Sequence, residues 1–135
     1  MSPVSLEEFR APCEEIRTVR VLVVDDERLI RWAASSTLTD AGFTVVEAPD
    51  VAGARRLVQE GAVDLAVLDM RLPDGDGLTL MQEIHEAQPR CRFIMMTAFR
   101  TPELTAYTTV ARVPVLDKPF GMPDLVACIG ILLDS

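Results

Sequence analysis

In the stretch Asp64-Leu65-Ala66-Val67-Leu68-Asp69-Met70-Arg71-Leu72-Pro73-Asp74-Gly75-Asp76-Gly77, a short apolar run delivers one carboxylate to a turn. Residues 65–68 have the length of a buried strand, bounded by charge on one side and by Pro and Gly on the other. Open α/β sheets place their ligands at the C-terminal ends of strands, so Asp69 stands where chemistry would be done. A single acid there more often simply begins a loop. Its significance therefore depends on what the neighbouring strands bring to the same edge.

Working outward, residues 19–24 are a second apolar and β-branched run that stops abruptly at Asp25-Asp26-Glu27. Residues 28–41 repeat apolar side chains at helical spacing, and Gly42 stands where such a helix would end. Residues 43–47 read as a strand. Asp50 is a suitable N-cap for a helix through Glu60, which Gly61 closes. After the turn from Arg71 to Gly77, a helix is expected over 78–87 and a fourth strand over 92–96, ending at Thr97. Thr101 and Pro102 fit the cap and first position of the next helix. Its Thr105, Thr108, Thr109 and Val110 are weak helix formers, which predicts a short or displaced element. A fifth strand over 113–116 ends at Asp117-Lys118-Pro119, and a last apolar helix runs from Pro123 to about residue 133.

Strand and helix thus alternate five times, and the strands are apolar throughout rather than alternating. Such strands are covered on both faces, which predicts a single doubly wound α/β unit with a parallel sheet. With 135 residues there is room for one domain, expected over 19–135. Residues 1–18 read as an N-terminal tail, with a short helix around residues 6–10. The N-terminus lacks a basic-then-apolar leader pattern and no apolar run is long enough to span a bilayer, so a cytoplasmic address without membrane insertion is expected. A net charge of −8 opposes direct nucleic-acid binding, which needs clustered Lys and Arg. Three widely spaced cysteines, Cys13, Cys91 and Cys128, fit neither a disulfide framework nor a zinc site and read as reduced thiols.

In a parallel sheet all strands end along one edge. Asp25 and Asp26 follow the first strand, Asp69 ends the third, Thr97 ends the fourth and Lys118 follows the fifth. Carboxylates about 5 Å apart repel by roughly 3 kcal/mol per pair at an effective dielectric near 20. A cation or a shared proton must relieve this, and acids without His or Cys suit a hard ion such as Mg²⁺. Mg²⁺, a lysine and a hydroxyl facing one carboxylate suit phosphoryl transfer to Asp69, with Lys118 neutralising the transferred oxygens and Thr97 donating to them.

The motifs Val-Val-Asp25-Asp26-Glu27, Leu68-Asp69-Met70-Arg71-Leu72-Pro73 with Gly75 and Gly77, Met96-Thr97-Ala98 and Lys118-Pro119-Phe120 resemble, in order, those of bacterial two-component response-regulator receiver domains. The resemblance covers about residues 19–133. It implies a flavodoxin-like fold with strand order 2-1-3-4-5. It also implies that Asp69 accepts phosphate from a sensor histidine kinase or phosphotransfer protein. Asp26, Asp69 and the backbone carbonyl of Arg71 would bind Mg²⁺ directly, with Asp25 acting mainly through water, and Thr97 and Lys118 would assist. In this family the Lys-Pro bond is usually cis.

Two positions depart from the family pattern. Val115 stands where an aromatic usually lies three residues before the lysine, and Ala111-Arg112 replaces the usual Gly-Ala pair. Both bear on the output face formed by the fourth helix, fifth strand and fifth helix, and they predict altered readout to a downstream protein. The alternative reading is a phosphorylation-independent pseudo-receiver that binds partners constitutively. A Mg²⁺-dependent phosphatase fits less well, because Met70 and Arg71 occupy the positions where a second acid would be needed. Either a stand-alone receiver or part of a longer regulator is expected. His85 reads as a solvated residue, Trp32 as packing or partly exposed, and Met95 and Met96 as core.

Overall fold

Apolar side chains fill every position of 21–24 and 65–68, and both runs are completely buried in the computed structural model, which describes residues 18–134. They belong to β1 (Arg20–Val24) and β3 (Leu65–Asp69), joined by β2 (Thr44–Ala48), β4 (Arg92–Thr97) and β5 (Val115–Asp117). All pair in parallel, in the order β2-β1-β3-β4-β5. This is the order 2-1-3-4-5 that the family resemblance implied. Between the strands lie α1 (Arg28–Asp40), α2 (Val51–Glu60), α3 (Gly77–Ala87), α4 (Pro102–Ala111) and, last, α5 (Met122–Asp134). The helix expected around residues 6–10 lies outside the described residues.

The twofold alternation of a strand splits the buried residues into two cores. Leu22, Val24, Ala66, Leu68, Phe93 and Met95 face α2, α3 and α4, meeting Val51, Ala54, Leu80, Ile84 and Leu104. Val21, Val23, Leu65, Val67, Ile94 and Met96 point the other way, onto Ala34 and Leu38 of α1 and Leu125 and Ile129 of α5. Each fully buried Leu or Ile contributes about 2 kcal/mol by leaving water, so the two faces together hold the sheet between its helices. Met95 and Met96 are core, His85 is exposed and Trp32 is 66% exposed.

The helix boundaries follow local chemistry. Asp50 Oδ1 accepts the Gly53 N–H at 2.8 Å, which starts α2. Gly42, at φ 101°, takes the left-handed turn after α1 that a side chain would resist. Although α4 was expected to be short or displaced, it runs ten regular residues. Thr101 Oγ1 caps it by accepting the Leu104 N–H at 3.1 Å, Pro102 presets its first turn, and Leu104 and Thr108 are buried. Cap and burial thus outweigh the weak propensity of its threonines. Arg112 ends it in the left-handed region at φ 59°, the task of a small residue elsewhere. β5 begins two residues later than the apolar run suggested, because Pro114 precedes it. The Lys118-Pro119 bond is cis, as the resemblance implied.

One unforeseen element is a miniature antiparallel ladder, Arg71–Leu72 with Gly75–Asp76, which folds the chain after β3 back into α3. At its end Gly77 donates its N–H to Met70 O at 2.8 Å. A Cβ at Gly77 would collide with the Asp69 carbonyl and approach Met95 Cε to 2.9 Å. Gly77→Ala is therefore expected to destabilise the fold by roughly 2 kcal/mol through overpacking. Gly130 in α5 has nothing within 4 Å of an added Cβ. Gly130→Ala is expected to stabilise by about 0.5–1 kcal/mol through helix propensity. Urea unfolding of both variants checks the pair.

Candidate functional site

Because the strands are parallel, β1, β3, β4 and β5 all release their chains at one edge, and the edge carries Asp25, Asp26, Asp69, Thr97 and Lys118. A cavity of about 410 Å³ opens there, lined by Asp26, Glu27, Asp69, Arg71, Thr97, Ala98, Phe99 and Lys118. Asp25 is wholly buried beside it, 2.8 Å from Lys118 Nζ. Of the residues expected to carry the chemistry, Asp26, Asp69, Arg71, Thr97 and Lys118 line this cavity.

Asp25 is gripped from both ends. Its Oδ1 accepts the Glu27 N–H at 2.8 Å, and its backbone carbonyl accepts Arg31 Nη1 at 2.8 Å. Arg31 in turn stands 3.4 Å from Glu47 Oε1 at the end of β2. Asp69, at 6% exposure, ends β3 beside it. Carboxylate oxygens of Asp25, Asp26 and Asp69 lie within 4.8 Å of one another. Lys118 Nζ reaches across from β5 and stands 2.8 Å from Asp25 Oδ2, 2.9 Å from Glu27 Oε1 and 3.1 Å from Asp69 Oδ2.

The charges do not balance. Lys118 meets three carboxylates, those of Asp25, Glu27 and Asp69, with Asp26 beside them and Arg71 in the cavity lining, so four acids face two cations around the cavity. Burial, followed by the charge of Asp25, pushes the Asp69 carboxyl up to about 6 against the pull of Lys118. Burial works to lower Lys118, but its bonds to Asp25 and Glu27 and the charges of Asp25 and Asp69 prevail and move it upward. The lysine therefore stays charged while one proton or cation is needed among the acids. Asp25 Oδ2 is wholly buried, and its partner is the Lys118 ammonium 2.8 Å away. An all-oxygen donor set of three carboxylates within 4.8 Å of one another fits a hard divalent cation.

The loops around the cavity are tied down by side chains. Asp74, from the ladder after β3, accepts the Val51 N–H at 2.8 Å and the Ala52 N–H at 3.0 Å at the start of α2. Those bonds hold its carboxyl below the usual range and fix the loop that carries Arg71. Thr97 Oγ1 donates to Phe99 O at 2.9 Å and accepts the Phe99 N–H at 3.1 Å. Its hydroxyl is thus turned onto its own loop. Arg100 forks onto Asp117, with Nε 2.7 Å from Oδ1 and Nη2 3.0 Å from Oδ2. Sequence reading missed Glu27, Arg31, Asp74, Arg100 and Asp117. Glu27 was legible as the third acid of its run, and Arg31 as the residue one helical turn beyond it. The Arg100–Asp117 pairing, 17 residues apart, carries no sequence signal.

Residues 21–130 match the family model described as response regulator receiver domain. The chain is 33% identical over 117 residues to the DNA-binding transcriptional regulator NtrC of Azospirillum brasilense, covering 85% of this chain and 24% of that protein. It spans a quarter or less of the length of several curated relatives it matches. A response regulator receiver domain protein (CheY-like) from Methanospirillum hungatei JF-1 superposes with a TM-score of 0.82 at 27% identity, over 87% of this chain and 95% of that one. The BeF3-activated DrrB receiver domain, from Thermotoga maritima, gives a TM-score of 0.76 at 27% identity, over 88% and 100%.

The raised Asp69 carboxyl has a consequence for stability. An acid whose folded value lies above its unfolded one favours the fold while protonated. That contribution is complete below about pH 4 and lost as pH rises through about 6. Without divalent cations, Asp69→Asn is expected to exceed the parent by about 2–3 kcal/mol at pH 7, with the gap closing by pH 4. Denaturant unfolding in chelator at the two pH values checks this.

Proposed function

The chain belongs to the response-regulator receiver domain family, and from that premise we propose that it is a phosphorylation-controlled switch whose acceptor is Asp69. The observation that carries the reading is the crowding of Asp25, Asp26 and Asp69 around one lysine at the edge where parallel strands end. Asp69 has the most buried environment of any acid that also lines the cavity. It is therefore the acid least solvated by water and best placed to meet an entering phosphoryl group.

A receiver implies a histidine kinase partner, or a phosphotransfer protein in its place. In the step proposed, an Asp69 oxygen attacks the phosphorus of a phosphohistidine. The P–O bond forms as the P–N bond breaks, and the imidazole nitrogen keeps the electron pair and takes up a proton. Lys118 pairs with one oxygen of the transferred group, and the Thr97 hydroxyl donates to another after leaving Phe99 O. Asp25, Asp26, Asp69 and the Arg71 carbonyl would hold Mg²⁺. Bound there, Mg²⁺ supplies positive charge to the acids and the phosphoryl oxygens. Water returns Asp69 to its carboxylate, by access past Arg71 and Phe99. The receiver is taken to occupy residues 19–135, with a cytoplasmic address.

Output is proposed to be altered, because Val115 leaves the face of α4, β5 and α5 without an aromatic at that strand position. The same residue favours a second reading, a module that binds its partner without phosphate. The two part on one experiment, intact mass after incubation with acetyl phosphate and Mg²⁺. The expected result is gain of one phosphoryl group by the parent, abolished by chelator and by Asp69→Ala. No gain in a parent that still binds Mg²⁺ would support the constitutive module instead.

A further inference from the structure

Thr97 and Asp117 are register partners at the ends of β4 and β5, and Lys118 N–H donates to Thr97 O at 2.8 Å. From Thr97 the chain turns back on itself so that Arg100 lands on β5. There its guanidinium makes three hydrogen bonds, two to Asp117 and a longer one, 3.3 Å, to Val115 O. This grip fixes the residue next to Phe99, and Phe99 holds the Thr97 hydroxyl with both its N–H and its carbonyl. A hydroxyl has one proton to donate. In this arrangement that proton is given to Phe99 O and not to anything in the cavity.

For Thr97 to donate to an anion on Asp69, it must give up its bond to Phe99 O, by turning its proton away or by carrying the 98–100 segment with it. Phe99 is itself 67% exposed, so little apolar packing holds it there. The restraint on the segment is Arg100.

We propose that Arg100 and Asp117 form a latch that positions the 98–100 segment, keeps the Thr97 hydroxyl on Phe99 in the resting state, and opens when Thr97 turns to an oxyanion at Asp69. The latch rests on the reading of Asp69 as phosphoacceptor. Both are positioning residues, since neither reaches the cavity. A forked carboxylate–guanidinium pair at the surface is worth on the order of a fivefold bias between two states. That bias sets how readily the resting site closes on an anion.

The latch can be separated from plain electrostatics because its two halves carry opposite charge. Removing the Arg100 cation by field alone would weaken anion binding, while removing the Asp117 anion would tighten it. Opening a latch tightens it in both cases. The test is titration of beryllofluoride with Mg²⁺ into the parent, Arg100→Ala, Asp117→Ala and the double variant, read on the Phe99 amide resonance. Both single variants are expected to bind roughly fivefold more tightly, and the double variant no more tightly than either, since each breaks the same pair. In the absence of beryllofluoride, their Phe99 amides are expected to lie part-way toward the position seen in the bound parent. If Arg100→Ala binds as the parent does, or more weakly, the latch is overturned while the acceptor reading stands. If the parent itself binds no beryllofluoride, both fall together.

Discussion

A single ammonium gripped by three carboxylates, with a fourth beside them, is the constraint on which the rest of this structure turns. The parallel sheet creates it, because strands of one direction deliver all their terminal residues to one rim. Hydrophobic burial supplies the force that holds the rim together despite its repulsion. Leu22, Leu65, Leu68, Ile94 and Met96 are wholly buried on the two faces, and each anchors a strand that ends in a residue of the site: Asp25 after β1, Asp69 in β3 and Thr97 in β4. The site is therefore a place where the stability of the body is spent locally on unfavourable electrostatics. Such a site responds strongly to any ligand that changes its charge.

The fastenings around the rim serve that end. Arg31 and the Glu27 amide fix Asp25 from above and below. Asp74 ties the loop after β3 to the start of α2. Gly77 lets α3 begin against the carbonyl of Asp69 itself. These contacts leave the acid group little freedom to relieve its repulsion by moving apart. The segment after β4 is different. It is fastened by the exposed pair of Arg100 and Asp117 and by the bonds of buried Thr97 to Phe99, which is itself exposed. Buried packing is concentrated under Asp69, while Phe99 beside it is exposed, a distribution that suits the switch proposed above.

Much of this was legible in the sequence, for a physical reason. Runs such as 65–68 are apolar at every position because both faces are covered, and that alone implies a parallel sheet and a shared rim. The acids and the lysine could then be brought together without knowing any side-chain conformation. What stayed hidden depends on such conformations. Nothing in the pattern around Arg100 or Asp117 says that they meet, and nothing says which way the Thr97 hydroxyl points. The ladder at Arg71 and Asp76 is too short to carry a period. In α4 the composition was misleading: its threonines are weak helix formers, yet Thr101 caps it and Thr108 returns its hydroxyl to Leu104 O at 2.7 Å.

Charge crowding is centred on Asp69, and the carboxyl carbon of that residue reports on it directly. The measurement is a ¹³C NMR titration of the Asp69 carboxyl between pH 3 and 8, first in chelator and then in saturating Mg²⁺. Crowding by Asp25 in a buried setting predicts a midpoint near 6 in chelator, as burial and the Asp25 charge both raise it. With Mg²⁺ the midpoint should fall below the ordinary aspartate value. A midpoint near that ordinary value in chelator, indifferent to Mg²⁺, would contradict the account, because the acids would then be neither crowded nor a cation site.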